Sequence, residues 1–229
     1  MDVGMYREDY NKFMEQAPAL LPEGIFLQNY KSDPMFPHVY AKLRNSNTTA
    51  IERAFQDINM NHGIYIDIFS LDGYPADKFE QKKLEVLKRH YRALSLCGVR
   101  FADKMPLKSR VATKLRKMLG FHKRTAKTLK KYEAFIEKYP VNGSEFICNH
   151  GTPYGRRDYI SAEYYGKGAI TLFEGIEVRV PEKSDEYLTA LYGDWRTPPP
   201  IDKRNGGHLI EICDVKKPYT EYLKFNNQD

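Results

Sequence analysis

Between Gly63 and Pro75 the chain reads Gly-Ile-Tyr-Ile-Asp-Ile-Phe-Ser-Leu-Asp-Gly-Tyr-Pro, an apolar run closed by a turn. In an extended segment alternate side chains share a face, so Ile64, Ile66 and Ile68 point one way and Tyr65, Asp67 and Phe69 the other. Both faces are largely apolar, which predicts a strand inside a sheet covered on two sides. A carboxylate in such a strand costs several kcal/mol, roughly, unless a cation or strong donors meet it. Asp67 is therefore either a metal ligand or a structural carboxylate bonded to backbone amides at a strand end.

The chain has 229 residues, 41% hydrophobic and 13% aromatic, enough for one large core. Its longest apolar runs fall far short of the roughly 20 residues of a membrane span. The opening Met1-Asp2-Val3-Gly4 lacks the basic-then-apolar order of a signal peptide, so the product is expected to stay in the cytoplasm. Cys97, Cys148 and Cys213 are too few and too scattered for a disulfide framework or a zinc site, and read as buried thiols. The net charge of +6 is concentrated: from Lys104 to Tyr132 there are eleven Lys or Arg and no Asp or Glu, while the rest of the chain is net acidic. Such a segment suits an anionic surface, either a membrane face or nucleic acid, or is a solvated helix face. Sparse aromatic residues count against nucleic acid.

Along the chain, Met1 to Met5 read as the end of a strand, and a helix pattern follows from Arg7 through Phe13, Met14 and Ala17 until Pro22-Glu23-Gly24. Ile25–Gln28 and Val39–Arg44 are strand-like. On the second of these Lys42 and Arg44 share a face, as a phosphate clamp would require and as an ordinary surface strand also allows. Asp77 and Glu80 open a helix carrying Leu84, Leu87, Tyr91 and Leu94; two further helices run through Leu107, Val111, Leu115 and Leu119, and through Leu129, Tyr132 and Ile136. Each is expected to bury one apolar stripe. Residues 76–139 thus read as a basic helical insertion on a sheet. Phe146-Ile147-Cys148 is a strand, 151–155 an irregular loop, and 169–180 a hairpin closed on Glu174-Gly175. Ser184 caps a short helix ended by Gly193.

In this order, several short motifs resemble the LicD family of phosphotransferases, relatives of fukutin and fukutin-related protein in the nucleotidyltransferase superfamily. They are Met1-Asp2-Val3-Gly4-Met5 with Arg7-Glu8-Asp9-Tyr10, Tyr40 to Arg44, Tyr65 to Gly73, Phe173-Glu174-Gly175 with Val180-Pro181, Tyr192-Gly193-Asp194-Trp195, and Pro198-Pro199-Pro200 with Arg204. The resemblance implies an α/β (α+β) fold with a nucleotidyltransferase-like mixed sheet, one domain over 1–229. It implies transfer of a phosphorylated alcohol such as phosphocholine from a CDP-linked donor, for instance CDP-choline, to a glycan of teichoic acid, lipopolysaccharide or capsule type, built on a lipid carrier at the inner membrane face. Mg2+ (or Mn2+) would be held by Asp2 and Asp67, the catalytic carboxylates.

Asp2 matches the second Asp of the family's Asp-hydrophobic-Asp pair; the first would precede Met1, so the expectation is a chain shortened at its N-terminus. Lys42, Arg44, His62, Tyr192, Asp194 and Arg204 are implied substrate contacts. For His62 a satisfied structural role is the competing account, and for Tyr192 and Asp194 it is helix capping. The alternative function is an inactive remnant or binding module.

Overall fold

The computed structural model describes residues 1–95, 107–120, 125–152, 155–204 and 209–223. In chain order they form β1 (Asp2–Tyr6), α1 (Arg7–Leu20), β2 (Ile25–Gln28), β3 (Ala41–Asn45), β4 (Thr49–Glu52), β5 (Ile64–Gly73), α2 (Lys78–Ser95), α3 (Leu107–Met118), α4 (Thr125–Ile136) and β6 (Phe146–Asn149). They continue with β7 (Tyr159–Ser161), α5 (Ala162–Tyr165), β8 (Ala169–Phe173), β9 (Ile176–Val180), α6 (Ser184–Tyr192) and β10 (Ile210–Asp214). The main sheet runs β2-β3-β5-β6-β7 through antiparallel pairings, and β1 lies parallel to β5. The sheet is mixed, as expected. β4 and β10 form a separate antiparallel pair, and β8 and β9 a hairpin.

The alternation in these strands decides their faces. Val3 and Met5 of β1, Leu27 of β2, Ala41 and Leu43 of β3 and Ile68 of β5 pack against Tyr10, Phe13, Met14 and Ala17 of α1. A second cluster joins Leu84 and Tyr91 of α2 to Leu129, Tyr132, Phe135 and Ile136 of α4, with Tyr30 and Val39 from the sheet side. Tyr91 and Tyr132 stack with ring centroids 5.0 Å apart. Helices α2 and α4 are thereby fastened to the sheet. The start of α2 is capped as its sequence predicts: Asp77 Oδ1 accepts the backbone N–H groups of Phe79 at 3.0 Å and Glu80 at 2.9 Å. The hairpin turns on Glu174 and Gly175, both at positive φ (51° and 79°), the geometry of a tight two-residue connection.

Four expectations need correction. Helix α3 does not bury its stripe: Val111, Leu115, Met118 and Leu119 are exposed. Ile66 is 37% exposed, so the first turn of pleat in β5 is covered on one face only. Ser184 is the first helical residue of α6 and its hydroxyl turns back to the carbonyl of Pro181 at 2.5 Å; the cap position is Lys183, with no side-chain bond. Cys148 is buried but Cys213 is exposed. Cys97, and Pro153 and Tyr154 of the irregular loop, lie outside the described residues. Strands β4, β7 and β10 and helix α5 carry too few residues for their patterns to stand out.

One ion pair joins the layers. Arg7, the first residue of α1, donates through Nε to Asp72 Oδ1 at 2.7 Å and through Nη2 to Asp72 Oδ2 at 2.6 Å, and also reaches Ser70 Oγ at 2.7 Å. Asp72 is fully buried. Burial alone would lower the pKa of Arg7, but the hydrogen bonds and charge of Asp72 outweigh it and the guanidinium is held above its usual value. Removing Asp72 leaves Arg7 buried with only the longer contact to Glu137 at 3.5 Å and the Ser70 hydroxyl, so Asp72→Ala is expected to cost about 3 kcal/mol in urea unfolding, and Arg7→Met with Asp72→Leu to recover most of that loss. A single-variant loss under about 1 kcal/mol would show the pair to be dispensable.

Candidate active site

The β1–β5 register sets Asp2 opposite Asp67, and the β3–β5 register sets Lys42 on the other side of Asp67. Gln28 of β2 stands opposite Lys42. Residues paired across adjacent strands share a face, so Asp2, Asp67, Lys42 and Gln28 form a polar row across four strands, on the face away from α1. Asp2 is exposed and Asp67 and Lys42 are buried. The row runs from an open rim into a closed floor.

Lys42 Nζ sits 3.0 Å from Asp67 Oδ1, an ion-pair distance, but off the line of a hydrogen bond; Oδ1 has no hydrogen-bond partner among the described residues. The same ammonium lies 3.3 Å from the centre of the Tyr65 ring. Burial raises the pKa of Asp67 above its ordinary value, Lys42 opposes the shift, and Asp2 and Glu52 add to it. Burial likewise lowers the pKa of Lys42 against the pull of Asp67 and Glu52. Unlike Arg7, neither member of this pair recovers what burial takes. Titratable groups left in that condition cluster at functional sites.

Arg44 shares the face but is committed elsewhere: Nε donates to Gln28 Oε1 at 2.7 Å, Nη1 donates to the carbonyl of Gly63 at 2.8 Å, and the guanidinium carbon lies 4.5 Å from the Tyr65 ring centre. It braces the site from beneath. His62 is buried with Nε2 2.9 Å from the Ile58 carbonyl, and burial lowers its pKa. That is the structural role. Tyr192 ends α6 and is exposed; Asp194, also exposed, accepts the Thr197 N–H at 3.3 Å; Arg204 Nε donates to the carbonyl of Pro199 at 2.8 Å. Asp194 and Arg204 are thus bonded within their own stretch of chain. Helix α6 reaches the strand that carries Asp2, since the ring of its Tyr187 meets that of Tyr165 with centroids 5.4 Å apart and Tyr165 in turn meets Tyr6 of β1 at 6.4 Å.

Glu52 of β4 was not singled out by sequence, although it accepts the Tyr65 hydroxyl and acts on Lys42, Arg44 and Asp67. Nothing in its local sequence signals this. Tyr40, whose ring lies 5.8 Å from Lys42 Nζ and 4.7 Å from Phe69, stacks on His38 and walls the same end of the row. A cavity of about 630 Å³ lined by Tyr10, Met14, Tyr30, Glu133 and Glu137 is on the α1 face and shares no residue with the row.

This acidic pair on neighbouring strands, with a cation beside it, coincides with the motifs that resemble LicD. Over 218 residues, 92% of this chain and 78% of the relative, the sequence is 25% identical to the lipopolysaccharide cholinephosphotransferase LicD of Haemophilus influenzae. The chain is a LicD homologue. No family model and no solved structure matches it.

The raised pKa of Asp67 gives a signed expectation. Above about 3.8, its ordinary value, and up to its raised one, the folded chain holds a proton that the unfolded chain has lost, so this group's contribution to stability falls as pH rises through that window. Urea midpoints of the parent should therefore drop relative to Asp67→Asn on going from acid to neutral pH. A parent that instead gains on the variant would show the carboxyl to be depressed.

Proposed function

We propose that this LicD homologue is an enzyme that transfers a phosphorylated alcohol, phosphocholine first among the candidates, from a CDP-linked donor to a hydroxyl of a lipopolysaccharide or related surface glycan. The observation that carries the reading is the juxtaposition of Asp2 and Asp67, one exposed and one buried with an unbonded oxygen, beside Lys42. In the reaction the phosphoanhydride P–O bond to CMP breaks, a P–O bond to the acceptor oxygen forms, and the hydroxyl proton is released.

Asp2 and Asp67 would hold a divalent cation. No group of three or more His, Cys, Asp or Glu is arranged for a metal among the described residues. A site with two carboxylates suits Mg2+, which is commonly bound by one or two carboxylates and completed by substrate phosphates and water. When bound, the cation neutralises the diphosphate and the leaving group. Lys42 adds a second positive charge on the buried side, where the donor phosphates can draw it from its off-line contact with Asp67. Arg44, held by Gln28 and Gly63, and Tyr65, bonded to Glu52, keep that ammonium in place. The open β1 edge leaves room for a bulky acceptor, with α6 and Tyr192, Asp194 and Arg204 beyond it as acceptor contacts. On this reading the sheet is nucleotidyltransferase-like and the chain works in the cytoplasm, where nucleotide-activated donors are made.

The test is choline-phosphate transfer from CDP-choline to lipopolysaccharide, with Mg2+, by a chain that shows activity. Asp67→Asn keeps volume and an oxygen for Lys42 but deletes the charge that holds the cation, and is expected to lower kcat by about a hundredfold or more, with Asp2→Asn similar. Chelation should abolish turnover and Mg2+ or Mn2+ restore it. Asp67→Asn within about threefold of the parent would remove Asp67 from the chemistry.

A further inference from the structure

Helix α3 is amphipathic, yet its apolar side is left exposed. At 100° per residue, Val111, Leu115, Met118 and Leu119 fall within an arc of about 100°, and all four are exposed. Leu119 continues the helical turn, its N–H bonding the carbonyl of Leu115 at 2.9 Å. Lys108 and Lys114 are exposed on the same helix, and the segment from Lys104 to Tyr132 contains eleven Lys or Arg and no Asp or Glu. A soluble face would carry polar residues at those four positions. Whatever covers this face has to offer apolar surface and negative charge together.

We infer that α3 is a docking helix for an anionic lipid surface, lying in the interface with Val111, Leu115, Met118 and Leu119 among the outer acyl carbons and its cations among the headgroups. Both halves of that match are on the helix: an aliphatic row for the acyl boundary, and unopposed positive charge for the headgroups. Neither nucleic acid nor a second copy satisfies both. Nucleic acid offers bases that stack on aromatic rings, and the row has none; a second copy would bring eleven like charges against eleven. No described helix is long and apolar enough to cross a membrane, so the contact is peripheral. The helix belongs to the segment between α2 and α4, both of which are packed on the sheet, so docking there leaves the polar row of β1, β5 and β3 free to work.

Sedimentation of the whole chain with vesicles tests this independently of any transfer activity. Phosphatidylcholine vesicles should bind little, and adding phosphatidylserine should raise the bound fraction by about tenfold or more, with a fall at high salt. Leu115→Gln with Leu119→Gln should lower binding to the anionic vesicles by about tenfold, and Lys114→Gln with Lys127→Gln and Lys130→Gln should lower it too. All five positions are exposed or at the edge of packing, and circular dichroism checks the fold. In a Trp195→Phe background, Leu115→Trp should shift its emission to the blue with anionic vesicles only. Unchanged binding by the Leu115→Gln and Leu119→Gln variant, no blue shift, or equal binding to neutral vesicles would overturn the inference. So would retention on duplex DNA without vesicle binding, or a dimer that the same leucine variant dissociates.

Discussion

The bidentate ion pair between Arg7 and Asp72 sets the register on which the candidate site depends. Arg7 follows the last residue of β1, and Asp72 follows Leu71, the partner of Tyr6 in the parallel ladder. The pair therefore continues the ladder by one step, with side chains instead of backbone, and clamps β1 to β5 at its C-terminal end. Five residues further back along each strand, the same offset brings Asp2 beside Asp67. A slip of one residue would seat Val3 opposite Asp67 and turn the apolar side of β1 to solvent, so the clamp and the α1 core reject it together.

The two buried carboxylates of β5 also show how one strand separates stability from chemistry. Asp67 and Asp72 are on opposite faces, since their positions differ by an odd number. Asp72 meets a guanidinium fork with both oxygens satisfied, and the pair is a structural rivet. Asp67 meets one ammonium, 3.0 Å from a single carboxylate oxygen, and both partners are pushed by burial toward their neutral forms. A second positive charge or a phosphate can be accommodated there without dismantling a finished bond.

Much of this was legible in the sequence because parity in a strand is a strict rule. Asp67 stood out as a carboxylate in an apolar run, and Lys42 and Arg44 could be placed on one face from their spacing alone. The different fates of those two cations were not legible, since Arg44 is occupied by Gln28 and by the carbonyl of Gly63, contacts that exist only once the sheet is assembled. Glu52 reaches the site from β4, a four-residue strand whose partner β10 lies far along the chain. The stripe of α3 was correctly periodic but wrongly assigned to the core, because helical spacing gives the width of an apolar face and not what covers it. The motifs that resemble LicD, with the relative identified by comparison, gave a function class that no single pattern carried.

The parallel pairing of β1 with β5 has a consequence for biosynthesis. Asp2 and Asp67 are 65 positions apart, and the side of β1 away from β5 has no partner strand among the described residues. Synthesis from the N-terminus releases β1 and α1 well before β5 has left the ribosome, so this pairing has to wait while α1 can already form. Joining them closes a long loop, and long-range parallel contacts of this kind are slow. The acidic pair is thus assembled only after the middle of the chain is available, and until then the apolar residues Val3 and Met5 are exposed to the machinery that guards nascent chains.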